Sequence, residues 1–170
     1  MMKRLFAIAL ALTLVCAAAL AESGLTEFST SDMQGNPVDQ SVFADYDLTM
    51  VNIWTTWCGF CIQEMPELAE LKKMLPENVN LITICEDADM EGDLAKEILS
   101  ASGANFQTLK PSEEMYSQLL GEVYAFPTTY FLDSSGQPAA DPLMGVPPSD
   151  NGVAEAYLSI IQGVLGTMEG

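Results

Sequence analysis

The chain has 170 residues, of which 49% are hydrophobic, so it can bury the core of one domain and is not intrinsically disordered. Six basic residues oppose 24 acidic ones, and the formal net charge of −18 at pH 7 excludes nucleic acid and anionic lipid surfaces as natural partners. Solubility is the simpler explanation of this charge, and a specific basic partner is the alternative.

Residues 1–21 have the layout of a secretory signal peptide. Lys3 and Arg4 form a short basic start, an apolar run follows, and Ala19-Leu20-Ala21 is a small-x-small cleavage site. The apolar run is short for a membrane span. We therefore predict cleavage near Ala21, export across the cytoplasmic membrane and a mature domain of residues 22–170. An uncleaved membrane anchor is the alternative, and membrane contact is expected only through it.

The first part of the mature chain predicts a strand pair and then a buried strand. Residues 28–43 contain Gly35-Asn36-Pro37, which is typical of a turn between two short strands. Residues 48–54 are apolar and rich in β-branched side chains, with Thr49 and Asn52 as the polar exceptions, and this pattern favours a strand inside a sheet.

Cys58 and Cys61 lie where this strand gives way to a helix. Apolar residues recur after them at mostly helical spacing until Pro76 ends the pattern. The free N–H groups and the dipole at a helix N-terminus favour negative charge, so the pKa of the Cys58 thiol should fall. Cys61 lies one turn further in, where it is shielded and close enough to form a disulfide.

A cysteine pair at this spacing could hold a metal, form a structural disulfide or carry electrons. A structural zinc site needs four Cys or His ligands, but the sequence has no histidine and only Cys85 is left to join the pair. A structural disulfide that closes so short a loop would constrain the unfolded chain little. Attack by Cys58 followed by resolution through Cys61 is the chemistry that the position permits, and redox function is therefore favoured.

The rest of the sequence alternates between predicted strands and helices. No repeat or linker divides it, so we predict a mixed α/β sheet with helices on both faces. The predicted elements are a strand at 79–85, a helix at 91–102, a short strand at 106–109, a helix from Ser112 to Gly121, a strand core at 130–132, a turn at 133–136 and a closing helix at 154–165.

Four sequence blocks in this order resemble the TlpA/ResA type of exported bacterial thiol–disulfide oxidoreductases, over residues 28 to 165. The blocks are Val51-Asn52-Ile53-Trp54, Trp57-Cys58-Gly59-Phe60-Cys61, Glu64-Met65-Pro66-Glu67-Leu68 and residues 126–133 with Gly136 after them. The resemblance implies a thioredoxin-like fold, with a central mixed β-sheet flanked by helices and an N-terminal β-hairpin extension.

The resemblance also implies roles for four further residues. Pro127 matches the family's cis-proline, which lies opposite the disulfide and helps to align substrate. Phe126 matches a position that touches substrate backbone, and a core aromatic is the alternative. Trp57 resembles the tryptophan that shields the disulfide. Glu64 matches a glutamate one helical turn after the second cysteine that handles protons, and a solvated surface glutamate is the alternative.

Two positions differ from the residues found in related proteins, and one cysteine lies outside the predicted redox pair. Asn52 stands where thioredoxin has a buried aspartate; it is typical of the TlpA/ResA branch but cannot move protons. Phe60 replaces the proline often found before the second cysteine, which leaves the strength as reductant or oxidant open. Cys85 is expected to be buried and unreactive, with a third redox thiol as the alternative.

We predict an exported thiol–disulfide oxidoreductase that reduces disulfides in extracytoplasmic proteins, with Cys58 as the nucleophile and Cys61 as the resolving thiol. No cofactor or metal is expected besides the redox-active disulfide. The resemblance implies a membrane thiol reductase as electron donor, apocytochrome c or oxidised exported proteins as substrates, and we expect a monomer. A thiol peroxidase of the same fold and a non-catalytic thioredoxin-like binding module are the alternatives.

Overall fold

The computed structural model describes residues 24–168, so the predicted signal segment and its cleavage site lie outside the described residues. Seven strands and four α-helices occupy this part of the chain. The strands are β1 (Ser29–Ser31), β2 (Pro37–Asp39), β3 (Leu48–Trp54), β4 (Val79–Cys85), β5 (Gln107–Leu109), β6 (Thr128–Asp133) and β7 (Pro138–Met144). The helices are α1 (Gly59–Met74), α2 (Ala88–Ala101), α3 (Glu113–Gln118) and α4 (Val153–Met168). Between residues 24 and 168 no helix is both long and apolar enough to span a bilayer.

Five strands form a central mixed sheet in the order β5-β4-β3-β6-β7. β3, β4 and β5 run parallel, whereas β6 pairs with β3 and β7 pairs with β6 in antiparallel fashion. β1 and β2 form a separate antiparallel pair before the sheet. The prediction of a central mixed sheet with flanking helices and an N-terminal strand pair is therefore confirmed.

Side chains alternate along β3, so its two faces belong to two separate apolar clusters. Leu48, Met50 and Trp54 pack with residues of α1, α2 and α4, whereas Val51 and Ile53 pack in the cluster on the other face. That second cluster is closed by the N-terminal segment and by α3, through Leu25, Phe28, Phe43, Met115 and Leu119. The alternation directs Asn52 toward the face that carries α1 and α4.

Helix α4 is fixed to α1 by a carboxylate as well as by apolar packing. The Glu67 Oε2 atom of α1 accepts a hydrogen bond from the backbone N–H of Ala154 at 3.2 Å. Ala154 lies in the first turn of α4, where backbone N–H groups lack partners within the helix and a negative charge is favourable. Glu67 thereby caps one helix from another.

Three elements differ from the sequence prediction. Helix α3 is capped by Ser112 as predicted but ends at Gln118 rather than at Gly121, and a 3₁₀ turn follows at Leu120–Glu122. β7 was not predicted, because Pro138 and Pro142 lie inside it and proline is tolerated only at edges and irregular positions of a sheet. It is indeed an edge strand, and its register with β6 shifts between Thr129 and Leu132. Helix α2 begins at Ala88, ahead of the predicted start at Glu91, where the backbone leaves helical geometry.

Candidate active site around Cys58 and Cys61

The two cysteines lie at the junction between β3 and α1 and are joined by a disulfide. The S–S distance is 2.09 Å and the Cα atoms are 5.3 Å apart. Cys58 is the N-cap of α1, and its Sγ atom accepts a hydrogen bond from the backbone N–H of Cys61 at 3.1 Å. Cys58 is 6% exposed whereas Cys61 is completely buried. An incoming thiol therefore reaches the Cys58 sulfur first.

The segment just before Cys58 is anchored by a buried carboxylate that the sequence analysis missed. Asp87 accepts hydrogen bonds from the backbone N–H of Thr56 at 3.0 and 3.1 Å and from its Oγ1 at 2.5 Å. Asp87 precedes α2, but its side chain makes no capping hydrogen bond to that helix. Its position after a strand end was visible in the sequence, although nothing there indicated that it would turn toward Thr56.

Exposed aromatic side chains surround the cysteine pair. Trp57 is 70% exposed and Phe60 is 69% exposed. The ring of Trp57 meets that of Phe126 edge to face, with 5.6 Å between the centroids. Trp57 thus lies at the surface against Phe126, while Trp54 is fully buried in the core. Phe126 is partly buried and packs against both apolar clusters.

Pro127 lies at the same end of the sheet as the cysteine loop. The Phe126–Pro127 peptide bond is cis. Thr128, the next residue, pairs with Ile53, which is one residue from the end of β3. The Pro127 carbonyl accepts a hydrogen bond from the N–H of Gly145 at 2.7 Å, which ties this turn to the end of β7.

Glu64 is almost completely buried, with 2% of its surface exposed, so the alternative of a solvated surface glutamate is wrong. Of the apolar residues next to it in the sequence, Met65 is buried and Ile62 is exposed. Burial raises the pKa of Glu64 to about 7, and hydrogen bonds from Asn52 and Tyr157 oppose that rise. Glu64 forms no ion pair with any residue between 24 and 168. A carboxyl group of this pKa can gain or lose a proton near neutral pH.

Asn52 and Tyr157 hold the two oxygens of Glu64. The Asn52 amide donates to Oε1 at 2.9 Å, and the Tyr157 hydroxyl donates to Oε2 at 3.2 Å. Sequence reasoning missed Tyr157 because its hydroxyl is a single polar group on a mostly apolar helix. Tyr157 also lies 93 residues from Glu64 in the sequence. Asn52 was noted only as a departure from thioredoxin, and its contact with Glu64 was not foreseen.

Cys85 is a free, fully buried thiol at the end of β4. Burial, and then a hydrogen bond of its Sγ–H to Asp87 Oδ1 at 3.3 Å, raise the pKa of this thiol well above its usual range. Burial agrees with the expectation of an unreactive residue. No group of three or more potential metal ligands occurs among residues 24–168.

A family model supplies the chain's classification. The model of the AhpC/TSA family matches residues 22–138, which is more than half of the chain. The chain belongs to the AhpC/TSA family. The matched region runs from the N-terminal hairpin through the cysteine pair to the start of β7.

Individual relatives of this AhpC/TSA chain carry thioredoxin-type names. It is 26% identical over 88 residues to the thioredoxin-like protein YneN of Bacillus subtilis, a match that spans 51% of each protein. Among solved structures, the thiol:disulfide interchange protein of Chlorobium tepidum has a TM-score of 0.69 at 19% identity, with 85% of this chain and 97% of that chain covered.

A second solved structure is similar to the same extent. The DsbF homologue of Corynebacterium diphtheriae has a TM-score of 0.67 at 22% identity and covers 82% of this chain and 85% of its own. At these identities the likeness establishes the fold. The prediction of a thioredoxin-like fold is confirmed by these structures, and membership of the AhpC/TSA family fits the predicted TlpA/ResA type.

Proposed function

We propose that the protein is an exported thiol–disulfide oxidoreductase that reduces disulfides in proteins outside the cytoplasmic membrane. The observation that carries this proposal is the asymmetric pair: Cys58 is accessible at a helix N-terminus, whereas Cys61 is buried one turn from a buried carboxyl group. Export rests on the signal-like residues 1–21, and the names of relatives such as the thiol:disulfide interchange protein agree with the chemistry.

The first step is attack by the reduced protein on a substrate disulfide. The Cys58 thiolate forms a bond to one substrate sulfur, the substrate S–S bond breaks, and the other substrate sulfur leaves as a thiolate. The helix N-terminus and the backbone N–H of Cys61 favour negative charge on the Cys58 sulfur. Trp57, the residue before Cys58, forms an apolar surface with Phe126, and on this surface the substrate backbone would lie with Pro127.

The second step resolves this mixed disulfide. Cys61 gives its proton to the Glu64 carboxylate and attacks the Cys58 sulfur, which restores the Cys58–Cys61 disulfide and releases the second substrate thiolate. The proton on Glu64 then returns through solvent to a substrate thiolate. In total, two electrons pass from the protein's dithiol to the substrate, and no cofactor takes part.

The oxidised protein must then be reduced again before another turnover. We propose a membrane thiol reductase as the electron donor and cysteine-containing exported proteins as substrates, with apocytochrome c and oxidised proteins under repair as the cases that the TlpA/ResA resemblance suggests. The protein is expected to act as a monomer. A measured reduction potential of the cysteine pair would fix the direction of electron flow.

Reduction of insulin by dithiothreitol tests this function. The purified mature protein should accelerate the reaction, Cys58→Ser should abolish the acceleration, and Cys85→Ala should retain it as the matched cysteine control. Consumption of peroxide without insulin reduction would indicate the peroxidase instead. The absence of both activities, with an intact disulfide, would indicate a binding module and would overturn the proposal.

A further inference from the structure

Four buried side chains from four elements form a closed ring of hydrogen bonds behind the cysteine pair. Asn52 of β3 contacts Glu64 of α1 at 2.9 Å and Thr129 of β6 at 3.1 Å. Thr129 contacts the Tyr157 hydroxyl of α4 at 3.1 Å, and that hydroxyl contacts Glu64 at 3.2 Å. Asn52 and Thr129 are also partners in the strand register, so the sheet itself fixes one side of the ring.

The donors of this ring follow from its chemistry. A carboxylate only accepts, so Tyr157 must use its single proton on Glu64. Tyr157 can then only accept from Thr129, which in turn accepts from the second N–H of the Asn52 amide. Every proton of the ring therefore points, directly or through a neighbour, toward the Glu64 carboxylate. This is the arrangement that fits a charged Glu64.

Building on the proposed function, we propose that Tyr157 is the positioning residue of the proton-handling Glu64. Its hydroxyl, oriented by Thr129, fixes the carboxylate one helical turn from Cys61 and favours the form that can accept the proton of Cys61. The aromatic ring of Tyr157 serves the core, and its hydroxyl is the part that acts on Glu64.

The surroundings leave few other groups to perform this task. Glu64 is faced by Asn52 from β3 and by Tyr157 from α4, and Cys61 is the titratable neighbour on its own helix once the disulfide is reduced. Thr129 of β6 is uncharged, and Glu67 further along α1 is engaged with the N-terminus of α4. Among the described residues the Tyr157 hydroxyl is thus the donor to Glu64 from the α4 side. Without the hydrogen bonds from Asn52 and Tyr157, burial would raise the pKa of Glu64 further.

The titration of Glu64 can be followed directly, without any turnover. Oxidised protein labelled with carbon-13 at the glutamate carboxyl groups is titrated by NMR, and Glu64→Gln identifies the signal. The wild-type midpoint should lie at about 7. Tyr157→Phe should raise it by about one unit, because a hydrogen bond to a charged group is worth roughly a tenfold factor. Thr129→Val should raise it less, and Tyr46→Phe, outside the ring, should leave it unchanged.

The pH profile of mixed-disulfide resolution should move upward with the midpoint in Tyr157→Phe. An unchanged or lower midpoint in folded Tyr157→Phe would overturn the inference, even if insulin reduction is normal. Conversely, a protein that reduces no insulin but shows the raised midpoint would overturn the proposed function and leave the action of Tyr157 standing. If Tyr157→Phe fails to fold, the Thr129→Val midpoint tests the same hydrogen-bond chain.

Discussion

At the level of single residues, the two sulfurs of the disulfide differ both in access and in electrostatic surroundings. Cys58 is slightly exposed and lies at the N-terminus of α1, whereas Cys61 is covered on all sides. A thiolate at Cys58 is favoured by the helix dipole and a backbone N–H group. The order of events, attack first and resolution second, follows from these positions.

This order can be checked by trapping. Cys61→Ser should accumulate a stable mixed disulfide with a substrate peptide through Cys58, because the resolving thiol is missing. Cys58→Ser should form such an adduct far more slowly, since Cys61 is buried. Mass spectrometry of both variants after brief exposure to the peptide measures the difference. Equal trapping by the two variants would contradict the assignment of Cys58 as the nucleophile.

Glu64 should make the protein less stable as pH rises. Its pKa is about 7 in the folded protein against 4.5 when exposed, so between these values the folded state binds more protons than the unfolded state. The free energy of unfolding should therefore fall as pH rises through this window. The loss is on the order of 3 kcal/mol, since one pKa unit corresponds to about 1.4 kcal/mol.

Glu64→Gln removes this titration while it keeps the shape of the side chain. Its stability relative to wild type should therefore increase between about pH 4.5 and pH 7 and then level off. Urea unfolding of the oxidised proteins across that range measures the difference. Glu70→Gln, at an exposed position of the same helix, is the control and should show a nearly flat difference. A flat difference for Glu64→Gln would contradict the raised pKa.

At the level of elements, the site is made by the ends of β3, β4 and β6 together with the start of α1. Strong periodic signals made β3, β4 and α1 predictable from sequence, because apolar runs bounded by polar or proline residues have few alternative structures. β7 could not be predicted, since its prolines are acceptable only at an edge whose existence the local sequence does not reveal. Tyr157 and Asp87 act through contacts between distant elements, which periodicity does not report.

Asp87 shows how one element stabilises another at this site. Asp87→Ala would leave the buried N–H and hydroxyl of Thr56 without their acceptor, and it should lower the free energy of unfolding by about 2 kcal/mol. Asp87→Asn, which keeps one acceptor oxygen, should cost less. Denaturant unfolding of the oxidised proteins measures both, with Asp93→Ala at an exposed position of α2 as control. If Asp87→Ala is as stable as wild type, the anchoring of the cysteine loop by Asp87 is refuted.

At the level of the whole molecule, a strongly acidic protein exposes an aromatic site. The formal charge of −18 should steer basic disulfide peptides toward the protein and repel acidic ones, and salt should weaken both effects. Stopped-flow reduction of a lysine-rich and a glutamate-rich peptide of equal length should give rates that respond oppositely to added sodium chloride. Parallel responses would show that the charge serves solubility alone.

The ring that joins Glu64 to Tyr157 has a consequence for the cooperativity of unfolding. If α4 were to detach locally, Glu64 and Thr129 would lose a buried hydrogen-bond partner, so the carboxyl-terminal helix cannot open without exposing the interior of the site. The slowly exchanging amides of α4 should therefore exchange through the same cooperative unfolding event as those of β3 and β6. The helix farthest from the cysteines in sequence would then limit how often their proton acceptor meets water.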